Sequence, residues 1–593
     1  MDNSRGSIRI PVWHNGRNRK ITGLWPFNVQ AASNLGMETM RRRDLLKMAS
    51  GGVAVAVARV AAGALHAPAS TVQPGPLAAG FNVRHFGAKG DGAAIDSPAI
   101  NRAIDAASAA GGGTVLFPAG VYLSYSVRLK SKIGLWLDHG AVLLAAPTPL
   151  DGTATGGYDA AEPQGAWEPY QDYGHNHWHN SLIWGEDLDG VSITGPGLIW
   201  GKGLTRGWDK EPGRPDTTKP GVGNKAIALK NCRNALLRDF KILEGGWFGV
   251  LATGVDNLTI DNLTIDTNRD GIDIDCCRNV RVSNCTVNSP WDDAIVLKSS
   301  FGLGYARSTD MVTISNCMVS GSFALGYARP TENLTIANCY VTGDYELGSL
   351  LDGTWKRATV KHWATGRIKL GTESNGGFRN VTISNCVFES CQGFALESED
   401  GALVEDISFT GVTMRDIRSA PLFLRLGTRM RGPRDAKPGV MRRIILSNIT
   451  SSGASPLPSI LSGVPGHPIE DIRISDVFLE QVGGGSAEMA DLDPEEREAA
   501  YPDPGMFGPL PASGIFARHV RNLEVSNVEI ATRAADARSA FWFKDVVGAD
   551  FFRVRVPHGA ASAFDLRQVK EFRSFGSRQL ADLALENADA RKF

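Results

Sequence analysis

The feature that most constrains this chain is a repeat. Short β-branched strings recur along it: Asn257-Leu-Thr-Ile260, Val280-Arg-Val282, Val312-Thr-Ile314, Leu334-Thr-Ile336, Val381-Thr-Ile383, Ile444-Ile-Leu446, Ile472-Arg-Ile474 and Leu523-Glu-Val525. Each alternates apolar and polar positions, as a strand does when one face is buried. Two residues after most of them stands an Asn or Asp: Asn262, Asn284, Asn316, Asn338, Asn385, Asn448, Asp476 and Asn527. The interval is near 22 residues, and larger where a loop is inserted. One interval is almost a copy: Ser300 to Arg307 with Asn316-Cys317 matches Ser322 to Arg329 with Asn338-Cys339 at a constant offset of 22. This reads as duplication of one structural unit.

A unit of this length with three short strands and no helical period is one coil of a parallel β-helix. A coil cannot bury its inner face alone, so coils stack and share a core. Asn at the corner tolerates a left-handed backbone and can hydrogen-bond to its copy in the next coil. Leucine-rich repeats have a similar period, but their Leu-x-x-Leu-x-Leu string is absent. The expected fold is therefore all-β, a single-domain parallel β-helix over residues 78–580. Its open end would expose core and strand edges. The amphipathic pattern at 97–110 supplies a capping helix, with Ser97 as N-cap, Pro98 at the first helical position and Gly111-Gly-Gly113 as stop. The Pro- and Gly-rich stretches 148–180, 204–223, 430–439 and 483–514 read as loops leaving the coil. Such loops often wall a binding cleft.

Composition removes other classes. A length of 593 residues suggests several domains, but a solenoid uses it in one piece. With 62 Lys+Arg against 63 Asp+Glu the net charge is −1, so no nucleic-acid partner is expected. The 67 glycines lack a three-residue period, which excludes collagen. Eight cysteines are too few for a disulfide scaffold, and the Asn-Cys steps at Cys232, Cys285, Cys317, Cys339 and Cys386 look architectural, as buried thiols.

The N-terminus carries an address. Residues 37–70 hold Arg42-Arg43, Leu45-Leu46-Lys47 and a short Ala/Val/Gly run to Leu65, the pattern of a twin-arginine signal peptide. Residues 1–36 precede it and read as a non-native or disordered extension. The apolar run is too short for a comfortable membrane span. The expectation is export to the periplasm or beyond, with no stable membrane insertion once the signal is cut.

The densest acidic constellation is Asn268-Arg-Asp270-Gly-Ile-Asp273-Ile-Asp275, followed by Pro290-Trp291-Asp292-Asp293 and then Lys298. Asp270 and Asp292 are 22 residues apart, one coil. Stacked coils lie about 4.8 Å apart, so these carboxylates would meet on one face. Carboxylates that close repel, and one keeps its proton near neutrality. A proton-bearing acid beside an ionised base is what glycosidic hydrolysis requires. For Asp273 and Asp275 turn chemistry is the plainer reading.

Asn268-x-Asp270-Gly-Ile-Asp273, Asp292-Asp293 and Ile295-x-x-Lys298-Ser299 resemble glycoside hydrolase family 28, the polygalacturonases and rhamnogalacturonan hydrolases. Phe81 to Gly92, Phe117-Pro-Ala-Gly120-Val-Tyr122 and Gly195-Pro-Gly197 to Gly203 are similar to that family's N-terminal coils. The resemblance covers residues 80–450 and implies a right-handed parallel β-helix. It implies an inverting hydrolase of pectin-type chains, with Asp292 as general acid and Asp270 and Asp293 activating water. Inversion asks for roughly 6.5–9.5 Å between acid and base. Lys298 would bind a sugar hydroxyl or carboxylate. The substrate is then a pectic poly- or oligosaccharide, with no cofactor and no metal, and the expected state is a monomer.

The chain departs from the family twice. No Gly-His-Gly follows the Asp pair, and His362 is out of register. Arg367-Ile-Lys369 imitates the family's uronate-binding Arg-Ile-Lys, but one coil early, and Gly393-Phe-Ala-Leu-Glu397 stands in the proper place. Arg367 and Lys369 are candidate substitutes, Glu373 a candidate site residue, and Arg425 and Arg429 candidate carboxylate ligands. The departures favour a linkage other than plain polygalacturonan. Trp247 and Trp291 flank the site, for packing or for sugar contact. His175, His177 and His179 alternate, which on a strand suits a metal; with Trp167, Tyr170, Tyr173 and Trp178 beside them, a sugar-stacking loop explains them better.

Two other functions remain open at this point. A β-helix lyase would hold calcium on Asp270, Asp292 and Asp293. A non-catalytic carbohydrate-binding β-helix would not depend on Asp292.

Overall fold

The computed structural model describes residues 80–148, 157–165, 173–206, 217–267, 269–326, 329–343, 345–354, 356–357, 366–431, 437–557 and 562–593. The expected extension 1–36 and signal 37–70 lie outside these residues, as do Trp167, Tyr170, Asn268 and His362.

Among the described residues, 36 strands join in one continuous sheet, wound as a three-sided parallel coil. One coil shows the plan. Strand Phe248–Thr253 forms one side, Asp256–Asp261 the second and Thr264–Asp266 the third. The next coil pairs in parallel on all three sides, with Phe248 beside Asp270, Leu258 beside Val280 and Ile265 beside Val287. The repeated strings of the sequence fall in one row. Leu258, Val280, Val312, Leu334, Val381, Ile407, Ile444, Ile472 and Leu523 stack in register and are buried. Each such side chain contributes about 1.5–3 kcal/mol of burial.

The corners explain the Asn period. All eight Asn or Asp residues that follow the strings have φ between 52° and 56°, the left-handed region. Asn pays less there than other residues with a Cβ. The side chains also tie coil to coil. Asn316 Nδ2 donates to Asn284 Oδ1 at 3.4 Å, and Asn284 Nδ2 to Asp261 Oδ1 at 2.8 Å. A second corner repeats the device, with Asn279 Nδ2 on Asn257 Oδ1 at 2.7 Å and Asn257 Nδ2 on Asn234 Oδ1 at 2.9 Å. The cysteine after the corner turns inward, and its thiol donates to the carbonyl two residues back, as Cys285 does to Ser283 at 3.2 Å. All eight cysteines are buried free thiols.

The helix Ser97–Ala109 buries Ile100, Ala103, Ile104 and Ala107 against the first coils. Its N-cap is Asp96, one residue before the expected Ser97, and Asp96 makes no cap bond. The Asp96 carboxylate instead accepts from Lys89 N at 2.7 Å and Gly90 N at 2.9 Å. Ser97 Oγ accepts from Tyr125 N at 3.3 Å, so tertiary partners take both side chains. At the other end, strand Leu583–Lys592 runs antiparallel to Phe564–Phe575, and the Phe593 ring packs 5.3 Å from that of Phe564. This strand passes the expected limit at 580, because it carries no repeat signature. No described helix is long and apolar enough to cross a membrane.

The near-copy in the sequence folds as a copy only in its second half. Asp310–Ser315 and Thr331–Ala337 stack, with Val312 beside Leu334. Ser300 to Arg307 is an outer turn, whereas Ser322 to Gly326 is strand. The reason is the preceding strand: Thr286–Lys298 already fills the row in the first coil, so Ser300 to Arg307 is displaced outward.

Replacing Asn316 (φ 56°) by Ala forces a Cβ-bearing residue without local hydrogen bonding into that corner. Urea denaturation should show a loss of about 1–2 kcal/mol for Asn316→Ala and a smaller loss for Asn316→Gly.

Candidate active site

The site lies on the side formed by Phe248–Thr253, Asp270–Asp275, Thr286–Lys298, Met318–Gly326, Arg367–Leu370 and Gly393–Ser398. Ile272, Ile274, Ile295 and Leu297 point into the core and anchor the two central strands. Their alternation turns Asp273 outward, between Leu251 and Val296. The ladder offset is 22 at Asp266–Asn288 and 23 at Ile272–Ile295, so one extra residue enters around Pro290 to Asp293. That irregularity brings Asp292 and Asp293 out beside the Asp270 strand. Gly271 makes the approach possible: a Cβ there would stand 2.4 Å from Val287 Cγ1 and 2.5 Å from Ala294 O.

Four carboxyls therefore share one patch. Asp270 and Asp273 are buried, at 4% and 0% exposure, while the Asp292 side chain is 33% exposed. Burial pushes the Asp270 carboxyl well above the usual carboxylate range, and like charge on Asp292 and Asp273 adds to it. Burial lifts Asp273 to about 7, although Lys298 opposes it. Burial lifts Asp293 to about 6 against the pull of Lys369 and Lys298. Near neutral pH this set holds protons, as closely packed carboxyls must.

Cations enter from separate places. Arg269 Nε stands 3.3 Å from Asp292 Oδ2, its Nη1 donates to Arg206 O at 2.9 Å, and its guanidinium lies 4.1 Å over the Trp247 ring. Trp247 is thus a support for Arg269, buried at 5% exposure, and Trp291 is open at 46%. Lys298 Nζ is 3.6 Å from Asp273 Oδ1 and in contact with His175 Nε2. Lys369 lies in the same outward row as Asp273, through Val296 and Ala324. Burial disfavours its charge, but Tyr501, Asp293 and Glu397 outweigh this and hold its ammonium above its ordinary range. Glu373 is lowered: burial opposes its charge, but Lys298, Lys369 and Arg429 overcome it. Arg367 stands 3.6 Å from Glu397 and 3.8 Å from Asp503.

The arginines further along serve the scaffold. Arg425 is fully buried and donates to Ser462 Oγ, Gly463 O, Glu496 O and Arg497 O at 2.8–3.2 Å. It pins the segment around 496 to the coil and has no open face for a substrate carboxylate, contrary to the expectation. Arg429 pairs with Asp400. Asp275 follows the turn reading, accepting from Ser300 N at 2.8 Å.

The three histidines do not share a strand face. Tyr173–Asn176 is a 3-10 turn, which sends them to different places. His175 enters the carboxyl patch, His177 stacks on Tyr173 at 3.8 Å, and His179 bonds Glu186 at 2.8 Å. Among the described residues, two groups bring possible metal-ligand atoms together, His175–Asp270–Asp273 and Glu162–His179–Glu186. Each already has an ammonium at its carboxylates, Lys298 at 3.6 Å from Asp273 and Lys230 at 2.7 Å from Glu186.

Sequence spacing identified Asp270, Asp292, Asp293 and Lys298 as neighbours. It missed Asp273 as a member of the patch, though its alternation with Ile272 and Ile274 was a signal. It also missed His175 and Tyr501, which arrive from loops. Tyr501 is carried by the segment that Arg425 holds, and Thr372 Oγ1 donates to its hydroxyl at 3.3 Å.

Comparison with known proteins agrees with this architecture. The family described as right handed beta helix region matches residues 225–419, and the rhamnogalacturonase A/epimerase, pectate lyase-like family matches 80–136. A probable polygalacturonase of Vitis vinifera is 25% identical over 421 residues, covering 66% of this chain and 73% of the relative. The solved family 28 exopolygalacturonase of Yersinia enterocolitica superposes with a TM-score of 0.50 at 18% identity, covering 81% of this chain and 78% of that one. The mannuronan C5-epimerase AlgE3 of Azotobacter vinelandii is 67% identical over 66 residues, which is 11% of this chain and 4% of the epimerase. The fold is a right-handed parallel β-helix, and the resemblance to polygalacturonases read from the motifs holds at low identity.

A carboxyl whose folded pKa is raised binds its proton more tightly in the folded chain. Its stabilising share is present below the unfolded value, about 4, and is lost as pH rises through about 7 for Asp273. Asp273→Asn should therefore gain on the wild type between pH 4 and pH 8. Urea denaturation should show little difference at the lower pH and a gain on the order of 2–4 kcal/mol at the higher.

Proposed function

We propose that this polygalacturonase-like β-helix protein is an exported, inverting glycoside hydrolase of pectin-type poly- or oligosaccharides. What carries the reading is the patch of four carboxyls from two successive coils, in which Asp270, Asp273 and Asp293 have proton affinities raised by burial and by neighbouring carboxyls. Such a set offers a protonated acid and an ionised base at the same pH. Asp292, with a third of its side chain exposed, is the acid that protonates the leaving oxygen. Asp293, lifted only to about 6, deprotonates the water, and Asp270 helps to orient it. Water attack opposite the departing oxygen inverts the anomeric centre. Lys298, Lys369, Arg367 and Glu373 line the sugar subsites, with Trp291 at the rim. The twin-arginine signal in 37–70 fits delivery to the periplasm or outside.

The departures from the family bear on the substrate. Arg367 faces Glu397 and Asp503, so much of its charge is met within the protein. This supports a pectic linkage other than plain polygalacturonan, such as a rhamnogalacturonan.

The test is product analysis with a panel of defined pectic oligosaccharides. The expected outcome is a saturated product of inverted configuration by proton NMR, with turnover insensitive to chelator. Asp292→Asn should lower kcat by about 10²–10⁴-fold with the circular dichroism unchanged. An unsaturated product absorbing in the ultraviolet, lost on chelation, would establish a lyase instead. Undiminished turnover in Asp292→Asn would remove Asp292 as the acid.

A further inference from the structure

His175 is 3% exposed and reaches the carboxyl patch from the turn Tyr173–Asn176, far from Lys298 in sequence. Its Nε2 touches Lys298 Nζ and lies 3.5 Å from Asp273 Oδ1. Asp270 offers a carboxylate oxygen in the same small group. The Phe248 ring, 4.7 Å away, forms an uncharged wall. Among the described residues, the Lys298 ammonium, the Asp270 and Asp273 carboxyls and the Phe248 ring face His175. Main chain also encloses it, since a Cβ on Gly302 would come 3.3 Å from the His175 carbonyl.

The contact fixes a chemical state. A lysine ammonium has three donors and no acceptor, so the partner nitrogen must present a lone pair. For the contact to be a hydrogen bond, His175 must be neutral, with its proton on Nδ1. Lys298 is in turn the cation shared by Asp270, Asp273, Asp293 and Glu373. We propose that His175 is a positioning residue, whose neutral ring holds the Lys298 ammonium against Asp273 and so sets the charge balance of the whole carboxyl patch. Protonating the ring would set two cations in contact. Lys298 would be displaced, and the positive charge would sit on the ring beside Asp273 and Asp270 instead of where it also serves Asp293 and Glu373. The ring therefore gates activity from the acid side. It is held by Lys298 and Asp273, so it acts through them and not on the substrate. Nothing in the motifs around Asp270 and Asp292 indicates this residue, because it comes from a loop and not from the coil.

The catalytic part of this inference rests on the hydrolase reading; the contact itself does not. The first experiment reads the contact alone. The full chain carrying ring-labelled histidine is titrated by NMR, with His175→Gln used to assign the signal. In Lys298→Met the midpoint of the His175 ring should rise by about one pH unit, because a neighbouring cation is removed. An unmoved midpoint overturns the proposal, whatever the enzyme does.

The second experiment reads turnover on whichever pectic oligosaccharide the wild type cleaves. His175→Ala should lower kcat by about 10²-fold with KM little changed, and should displace the acid limb of the pH profile. His175→Gln keeps an acceptor for Lys298 and cannot be protonated. It should recover part of kcat and extend activity to lower pH. Thermal unfolding of each variant separates this outcome from loss of fold, and the Gln variant keeps the test open if the Ala variant does not fold. An acid limb unchanged in both variants overturns the proposal. Absence of glycosidic cleavage by the wild type overturns the hydrolase reading, while the NMR arm still decides the contact.

Discussion

Everything in this molecule depends on the parallel hydrogen-bond ladder between coils. It sets the spacing of successive coils at about 4.8 Å and keeps their residues in register, as Leu258 with Val280 and Ile265 with Val287. The apolar rows inside follow from that register, and so do the polar rows outside. A side chain on the outer face has its neighbours one coil away, whatever their chemistry. Two acidic coils in succession must therefore place carboxyls together. The burial and mutual repulsion that raise Asp270, Asp273 and Asp293 are consequences of this stacking.

A patch of that kind cannot persist without compensation, since unpaired buried charge is costly. The compensation comes from several directions. Arg269 is braced on Trp247 and on the carbonyl of Arg206. Lys298 comes from the same strand as the Asp pair and is met by His175. Lys369 comes from a later coil. The segment around 493–503 adds Tyr501 and Asp503, and the buried Arg425 and Arg518 hold its carbonyls. Lys544 and His519 bind its carboxylates. The patch thus stands on strands, with loop segments reaching it from both sides in sequence.

This division explains the two departures from the polygalacturonase pattern. The sequence has no histidine in the coil after the Asp pair, but a histidine reaches the patch from the N-terminal side. The coil after Arg367 and Lys369 presents Glu397 where the family pattern has its Arg-Ile-Lys, and Glu397 turns back on Arg367. Both changes alter the charge on this side of the coil without altering the coil.

By itself the sequence determined the coil, its period and the side on which the acidic residues gather. Alternation and the left-handed Asn corners are local properties, repeated often enough to be legible without a fold. The offset of 22 residues was sufficient to bring Asp270 toward Asp292, because one coil equals one ladder step. The tertiary structure alone decided the extra residue near Asp292, the cap at Asp96, the burial of Arg425 and the arrival of His175 and Tyr501. These depend on where loops of irregular length return to the coil, and on which charges compete for the same partner. Neither is periodic, so neither leaves a pattern in the chain.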